Sequence, residues 1–254
     1  MNGSKHGQNS RGWLPWAALG TALVVGGVIG GVIVGVTKSS ASTAAAPSPV
    51  TVSACAVTSV ANQVLPSVVT ISAQGQDGGG TGSGEVIKSD GYILTNNHVI
   101  AVAANGGSVE VQFADGQTAP ATITGRDPLT DLAVIKVDTS AKLKVIAMGE
   151  SSSVKIGQPT VVIGSPLGLS GTVTSGIVSA LDRTIQVPGE NDSTALLVSA
   201  IQTDASINPG NSGGAMVNCS DQLIGVPTAG ATVPSSSGES SGGSIGLGFA
   251  IPVD

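Results

Sequence analysis

The sequence predicts an all-β domain held outside the cytoplasm and preceded by a single transmembrane helix. Three observations carry this expectation. Charged residues are 10% of the 254 and aromatics 2%, so a core has to be assembled from Val, Ile, Leu and Ala. The 37 glycines separate short β-branched runs, the pattern of closely spaced strands. Residues 13–36 carry no charge, and a bilayer core of ~30 Å needs about 20 such residues.

Taken in order, residues 1–12 form a polar tail with Lys5, His6 and Arg11 and no acid. Trp13 and Trp16 sit at the start of the apolar span 13–36, where interfacial aromatics belong. A cleaved secretory signal has a shorter apolar region, ~7–15 residues, so a retained transmembrane helix is expected. Lys5 and Arg11 precede it and only Lys38 follows closely, which places the tail in the cytoplasm and the rest outside. Residues 37–54, mostly Ser, Thr, Ala, Pro and Val, read as a flexible linker. Residues 55–254 form the folded domain. It opens with a short helix over 55–65, stopped by Pro66. Six strand-like runs follow: 67–73, 84–88, 92–96, 108–113, 119–126 and 132–137. Six more are 158–163, 171–180, 184–187, 196–201, 222–226 and 246–251. The count suggests two similar β units, each a sandwich or barrel.

Composition narrows the function. A net charge of −6 leaves no basic footprint for nucleic acid. No Gly-x-x-x-x-Gly-Lys run offers a phosphate loop. Two cysteines and two histidines do not make a structural metal site, and no metal or other cofactor is expected. Cys55 and Cys219 are either a disulfide, which an extracytoplasmic compartment permits, or two buried thiols.

The chemistry centres on residues 204–214, Asp-Ala-Ser-Ile-Asn-Pro-Gly-Asn-Ser-Gly-Gly. Glycines let this turn bend tightly and let its amides face a ligand without a Cβ in the way. Ser212 within it is a candidate nucleophile, and adjacent amides can converge on a developing oxyanion. Outside the tail the only histidine is His98, just past the strand 92–96, and it is the natural base for Ser212 near neutral pH. Asp131 opens the largely apolar run 131–137. An acid leading into a buried strand needs a partner, and an imidazole N–H is one. Asp127, in the turn Arg126-Asp127-Pro128, is the rival acid.

The chain order His98, Asp131, Ser212 is that of the chymotrypsin class. The blocks Thr95-Asn96-Asn97-His98-Val99-Ile100, Asp127-Pro128-Leu129-Thr130-Asp131-Leu132-Ala133-Val134 and the Ser212 run resemble the three catalytic blocks of the HtrA/Deg serine proteases. Gly82-Ser83-Gly84, the runs 164–169 and 176–180, and Gly248-Phe249-Ala250-Ile251-Pro252 extend the resemblance over about residues 60–254. It implies a chymotrypsin-like double β-barrel protease domain with the active site between the barrels. Ser212 would be the nucleophile, His98 the general base and acid, and Asp131 the group that fixes the imidazole. The turn Gly210-Asn211-Ser212 would supply the oxyanion hole. Substrate would be bound by Ser206 and Ile207 at the specificity position and by Val226, Pro227 and Thr228 on a pairing strand. Proteins of this family cleave misfolded or exposed chains in the bacterial envelope, prefer small aliphatic residues at the cut, and assemble as trimers. The alternative function is a non-catalytic chaperone or scaffold that binds unfolded chains.

Three departures from the family pattern stand out. Such proteases normally continue into PDZ domains, whereas this sequence ends at Asp254; a fragment or a member lacking that module is expected. Val226-Pro227-Thr228 replaces Ile-Asn-Thr, and proline brings no N–H to a substrate strand. Glu85 occupies a position that is usually apolar. The Ser/Gly-rich run 228–245 is expected to be ordered by substrate, with the Gly210–Ser212 turn incompetent at rest.

Overall fold

The computed structural model describes residues 55–76, 78–165, 171–188, 194–230 and 243–254. The tail, the expected transmembrane helix and all of the linker but its end at residue 54 lie among residues 1–53; these and residue 54 fall outside the described residues. No helix among the described residues is long and apolar enough to cross a membrane.

The folded part begins with α1 (Val57–Val64), which buries Val60, Ala61 and Val64 on one face. These recur at i, i+1 and i+4, the stripe that seats a short helix on a core. Pro66 follows in a 3-10 turn, and the Ser67 hydroxyl donates to the Val64 carbonyl at 2.6 Å. The sulfurs of Cys55, just before α1, and Cys219 are bonded, with Cα atoms 5.2 Å apart.

Six strands then close a barrel: β1 (Val68–Gly75), β2 (Gly78–Val86), β3 (Tyr92–Asn96), β4 (Ser108–Gln112), β5 (Thr118–Asp127) and β6 (Leu132–Val137), in spatial order β1-β2-β3-β6-β5-β4. Its interior holds Ile71, Ile93, Val111, Ile135 and Val137. A short helix, α2 (Asn97–Ile100), directly follows β3.

The second unit is a seven-stranded sheet: β7 (Ala147–Met148), β8 (Pro159–Gly164), β9 (Thr172–Pro188), β10 (Thr194–Thr203), β11 (Ala215–Val217), β12 (Gln222–Gly230) and β13 (Gly248–Pro252). Its order is β11-β8-β9-β10-β13-β12-β7, and an extra β11–β12 pairing joins the two ends of the run β11 to β12. Two expected strands, 171–180 and 184–187, are one continuous β9. The polar interval at Asp182-Arg183 is a bulge: Ala200 pairs with Arg183 but Gln202 with Ala180, which puts one extra residue on β9, and Asp182 has φ 55°. The expected six-plus-six count becomes six plus seven, because β7 and β11 are too short to show alternation.

Glu85 does not follow the burial rule for charges. It pairs across the ladder with Val68 and Leu94, so it shares their face. That face meets the apolar cluster under α1, made of Val60, Val64, Val68, Ile146, Val161, Ile163, Ala215, Val217 and Leu223. Glu85 is fully buried, and neither carboxyl oxygen has a hydrogen-bond partner among the described residues. Desolvation holds its pKa well above the ordinary carboxylate value. With the folded pKa raised, the folded state keeps its proton. Stability is then greatest below the unfolded pKa and is lost as pH rises through the folded one. Glu85→Met is expected to stabilise the domain by about 1–3 kcal/mol at neutral pH, and by little near pH 4. Thermal melts of both proteins across this range check it; a constant difference in Tm would count against a neutral buried acid.

Candidate active site

β3 runs along β6 through five residue pairs, ending with Asn96 opposite Leu132. This places His98, the second residue of α2, beside Asp131 at the mouth of β6. Asp131 sits in the left-handed region, φ 57°, a conformation that a short polar side chain tolerates better than most. Its carbonyl accepts from Asn96 Nδ2 at 2.8 Å and from the Asn97 amide at 3.0 Å. Its carboxylate accepts from the His98 amide at 2.9 Å and lies 2.8 Å, through Oδ2, from His98 Nδ1. The acid's side chain is 5% exposed and the imidazole 42%; the acid is shielded while the ring stays within reach of a ligand.

Asp127 has a different task. Its carboxylate accepts from the Leu129 amide at 3.0 Å and from the Thr130 hydroxyl at 2.8 Å. Those bonds, Thr130 foremost, hold its pKa below the usual value. It shapes the turn that delivers Asp131.

Ser212 comes from the other unit. The Asn211 amide donates to the Asn208 carbonyl at 2.9 Å, and Gly210 has φ 99°. With Pro209 second and a left-handed glycine third, Asn208–Asn211 is a type II turn. The Ser212 hydroxyl donates to the Thr228 carbonyl at 3.3 Å, and the Thr228 hydroxyl donates to Asp131 Oδ2. Thr228 therefore touches both the serine and the acid. The expected direct bond from Ser212 to His98 is absent among the described residues. Catalytic hydrogen bonds are often unformed before substrate binds, and here the Ser212 hydroxyl is turned to the Thr228 carbonyl instead.

Around the turn, amides alternate between engaged and free. Asn211, Gly213 and Gly214 donate to the carbonyls of Asn208, Pro227 and Asn211. Among the described residues, the amides of Gly210 and Ser212 have no partner. Asn211, expected in the oxyanion hole, is thus excluded by its own turn bond. The two amides expected to form the hole, those of Gly210 and Ser212, are thus both unengaged by described residues. Residues 231–242 of the run expected to be ordered by substrate lie outside the described residues. Ser244 just beyond them donates its amide to Asn208 Oδ1 at 2.8 Å.

The expected substrate residues divide. Val226 is fully buried and pairs with Ile251, and Ile207 is buried with its side chain against Gly248; both are core. Pro227 is also buried, and its carbonyl is occupied by the Gly213 amide, so its missing N–H falls short of the exposed edge. Ser206 is half-buried, and its carbonyl accepts from the Thr174 hydroxyl at 2.9 Å. From Thr228 to Gly230, β12 pairs only with β13 among the described residues. Its other edge starts beside Ser212. Thr95, Asn96 and Ser83, which hold this arrangement together, were not singled out as site residues; the only signal was their place inside matched blocks.

The trypsin-like peptidase domain family matches residues 82–226. The serine protease PepD of Mycobacterium tuberculosis is 48% identical over 204 residues, 78% of this chain and 44% of PepD. The chain belongs to the HtrA/DegP family of trypsin-like serine proteases. Within this family, the periplasmic serine endoprotease DegP of Escherichia coli K12 is 45% identical over 187 residues, 70% of this chain and 36% of DegP. The solved HtrA-type protease AlgW with a tripeptide superposes with a TM-score of 0.65 at 38% identity, covering 78% of this chain and 60% of that one. The likeness supports the all-β chymotrypsin-like fold. The chain spans less than half the length of these curated relatives.

Proposed function

We propose that this chain is a serine endopeptidase acting on unfolded or misfolded protein chains outside the cytoplasm. The observation that carries the reading is the run of contacts from His98 to Asp131, from Asp131 to the Thr228 hydroxyl and from the Thr228 carbonyl to Ser212, beside two amides that no described residue engages. Ser212 Oγ turns from the Thr228 carbonyl to His98 Nε2, gives up its proton there and attacks the scissile carbonyl. Asp131 holds the Nδ1–H tautomer and stabilises the imidazolium. The amides of Gly210 and Ser212 receive the oxyanion. The imidazolium then protonates the leaving amine, and water repeats the sequence on the acyl-enzyme. The edge of β12 beyond Thr228 receives the substrate as an added strand.

The names of the relatives support the setting: DegP is periplasmic, and AlgW was solved with peptides. Residues 13–36 anchor the chain as a single-pass helix with residues 1–12 in the cytoplasm, and the protease acts as a homotrimer in envelope protein quality control. A fluorophosphonate probe is expected to label Ser212 in the native protein, with cleavage of unfolded casein in the same preparation. A folded protein that stays unlabelled would instead be a scaffold for unfolded chains.

A further inference from the structure

The motif Gly82-Ser83-Gly84 has no part in the mechanism above, yet it lies against the nucleophile turn. β3 pairs with β2 only at Glu85 and Val86. Beyond them that edge of β2 is free of β3, and the Ser212 turn takes its place. A Cβ at Gly82 would stand 3.0 Å from the Ser212 carbonyl oxygen and 2.5 Å from Val99 Cγ2. A Cβ at Gly84 would stand 2.7 Å from Ile93 Cγ2 inside the barrel. The two glycines let the strand pass between core and turn, and the serine between them makes the contacts.

Ser83 is wholly buried, and its polar groups are engaged. Its hydroxyl donates to the Gly210 carbonyl at 2.6 Å and accepts from the Ser165 amide at 2.7 Å. Its amide donates to the Ser212 carbonyl at 2.8 Å, and its carbonyl accepts from the Thr95 hydroxyl at 2.6 Å. A peptide unit is planar, so fixing its carbonyl and its N–H fixes its orientation. The 210–211 unit is held at its carbonyl by Ser83 Oγ and at its N–H by Asn208. The 212–213 unit is held at its carbonyl by the Ser83 amide and at its N–H by Pro227. The 211–212 unit, whose N–H no described residue engages, lies between these two; the 209–210 unit, whose N–H is likewise unengaged among the described residues, adjoins the first.

We infer that Ser83 is a positioning residue for the oxyanion hole: by holding the carbonyls of Gly210 and Ser212 from the first barrel, it keeps the free amides of Gly210 and Ser212 aimed at one point. This rests on the protease reading. Thr95 extends the same connection towards His98, two residues after Asn96, so one side chain registers the base-bearing half of the site against the nucleophile-bearing half.

Ser83→Ala removes the hydroxyl bond and keeps the amide bond. Its expected effect is a fall in kcat of about 10- to 100-fold, below the loss from deleting an oxyanion donor outright, with KM within about twofold. Affinity for a peptide boronate, which forms a tetrahedral adduct on the serine, is expected to fall in step. Binding of the uncleaved peptide to Ser83→Ala in a Ser212→Ala background is expected to match Ser212→Ala alone. Ser83→Cys, of similar shape with a weak donor, is expected to fold and lie between the two, and serves if the alanine variant does not fold. A kcat for Ser83→Ala within about threefold of the parent, or an equal loss of peptide binding in the Ser212→Ala background, would overturn the inference. So would a Ser83→Cys enzyme of parental kcat and boronate affinity. Absence of fluorophosphonate labelling in the parent protein would overturn the protease reading itself, and this inference with it.

Discussion

Replacing Ser212 by Ala is expected to lower kcat on unfolded casein by several orders of magnitude, because no other group in the site can form the acyl-enzyme. The fold is expected to survive. Among the described residues the hydroxyl makes one hydrogen bond, to the Thr228 carbonyl at 3.3 Å, beyond the usual range for an O–H donor, so its loss costs little. The turn that carries it is held by backbone bonds from Ser83, Asn208 and Pro227 that the substitution leaves in place. Some acceleration over water is expected to remain from the free amides and from substrate binding. Steady-state kinetics with a thermal melt of the same preparation checks both halves. More than about 1% of the parental kcat would remove Ser212 from the reaction.

The largest expected effect on stability belongs to the bond between Cys55 and Cys219. It closes a loop with a sequence separation of 164, for which the chain-entropy account gives about 5 kcal/mol. For a domain of this size, losing that much lowers Tm by roughly 10 °C or more. Cys55 immediately precedes α1, and Cys219 lies in the turn between β11 and β12. The bond therefore fastens the helix that covers Val161, Ile163 and Leu223. The paired Cys55→Ser, Cys219→Ser variant, or reduction of the parent, is expected to release α1 first and to raise amide exchange over residues 57–64. Two alkylatable thiols in oxidised parent protein, or an unchanged Tm on reduction, would show that the bond contributes nothing.

The parts of this molecule that sequence made legible have a local cause. α1 has its apolar stripe and its proline stop. β1, β3 and β6 alternate or run apolar between turns, and their observed bounds differ little from those expected. His98, Asp131 and Ser212 were legible because each lies in a block with its own turn chemistry: Asp127 folding the loop before Asp131, Pro209-Gly210 making the bend before Ser212. What was illegible depends on contacts distant in sequence. β11 is three buried residues whose strand character comes from pairing with β8 and β12 rather than from any pattern. Val226 and Ile207 carry no local sign of which way they face, and only the register of β12 on β13 and the packing at Gly248 decide that they face inward. Thr228 reads as a substrate contact, yet its hydroxyl goes to Asp131 across a separation of 97 residues. Ser83 is equally silent, since what it holds lies 127 residues further on.

That long separation bears on when, on the protease reading, the site can be assembled. Every strand of the first barrel is complete by Val137, and domains generally fold as units while the chain is still being made. A nascent chain at that stage holds its base and its acid but has no nucleophile. Ser212 arrives later, and the Thr228 that joins it to Asp131 later still, after most of the second sheet has been synthesised. On the protease reading, competence therefore waits until the segments carrying Ser212 and Thr228 have joined the first barrel. A chain stalled or clipped before Ser212 lacks the proposed nucleophile, however well its first half is folded.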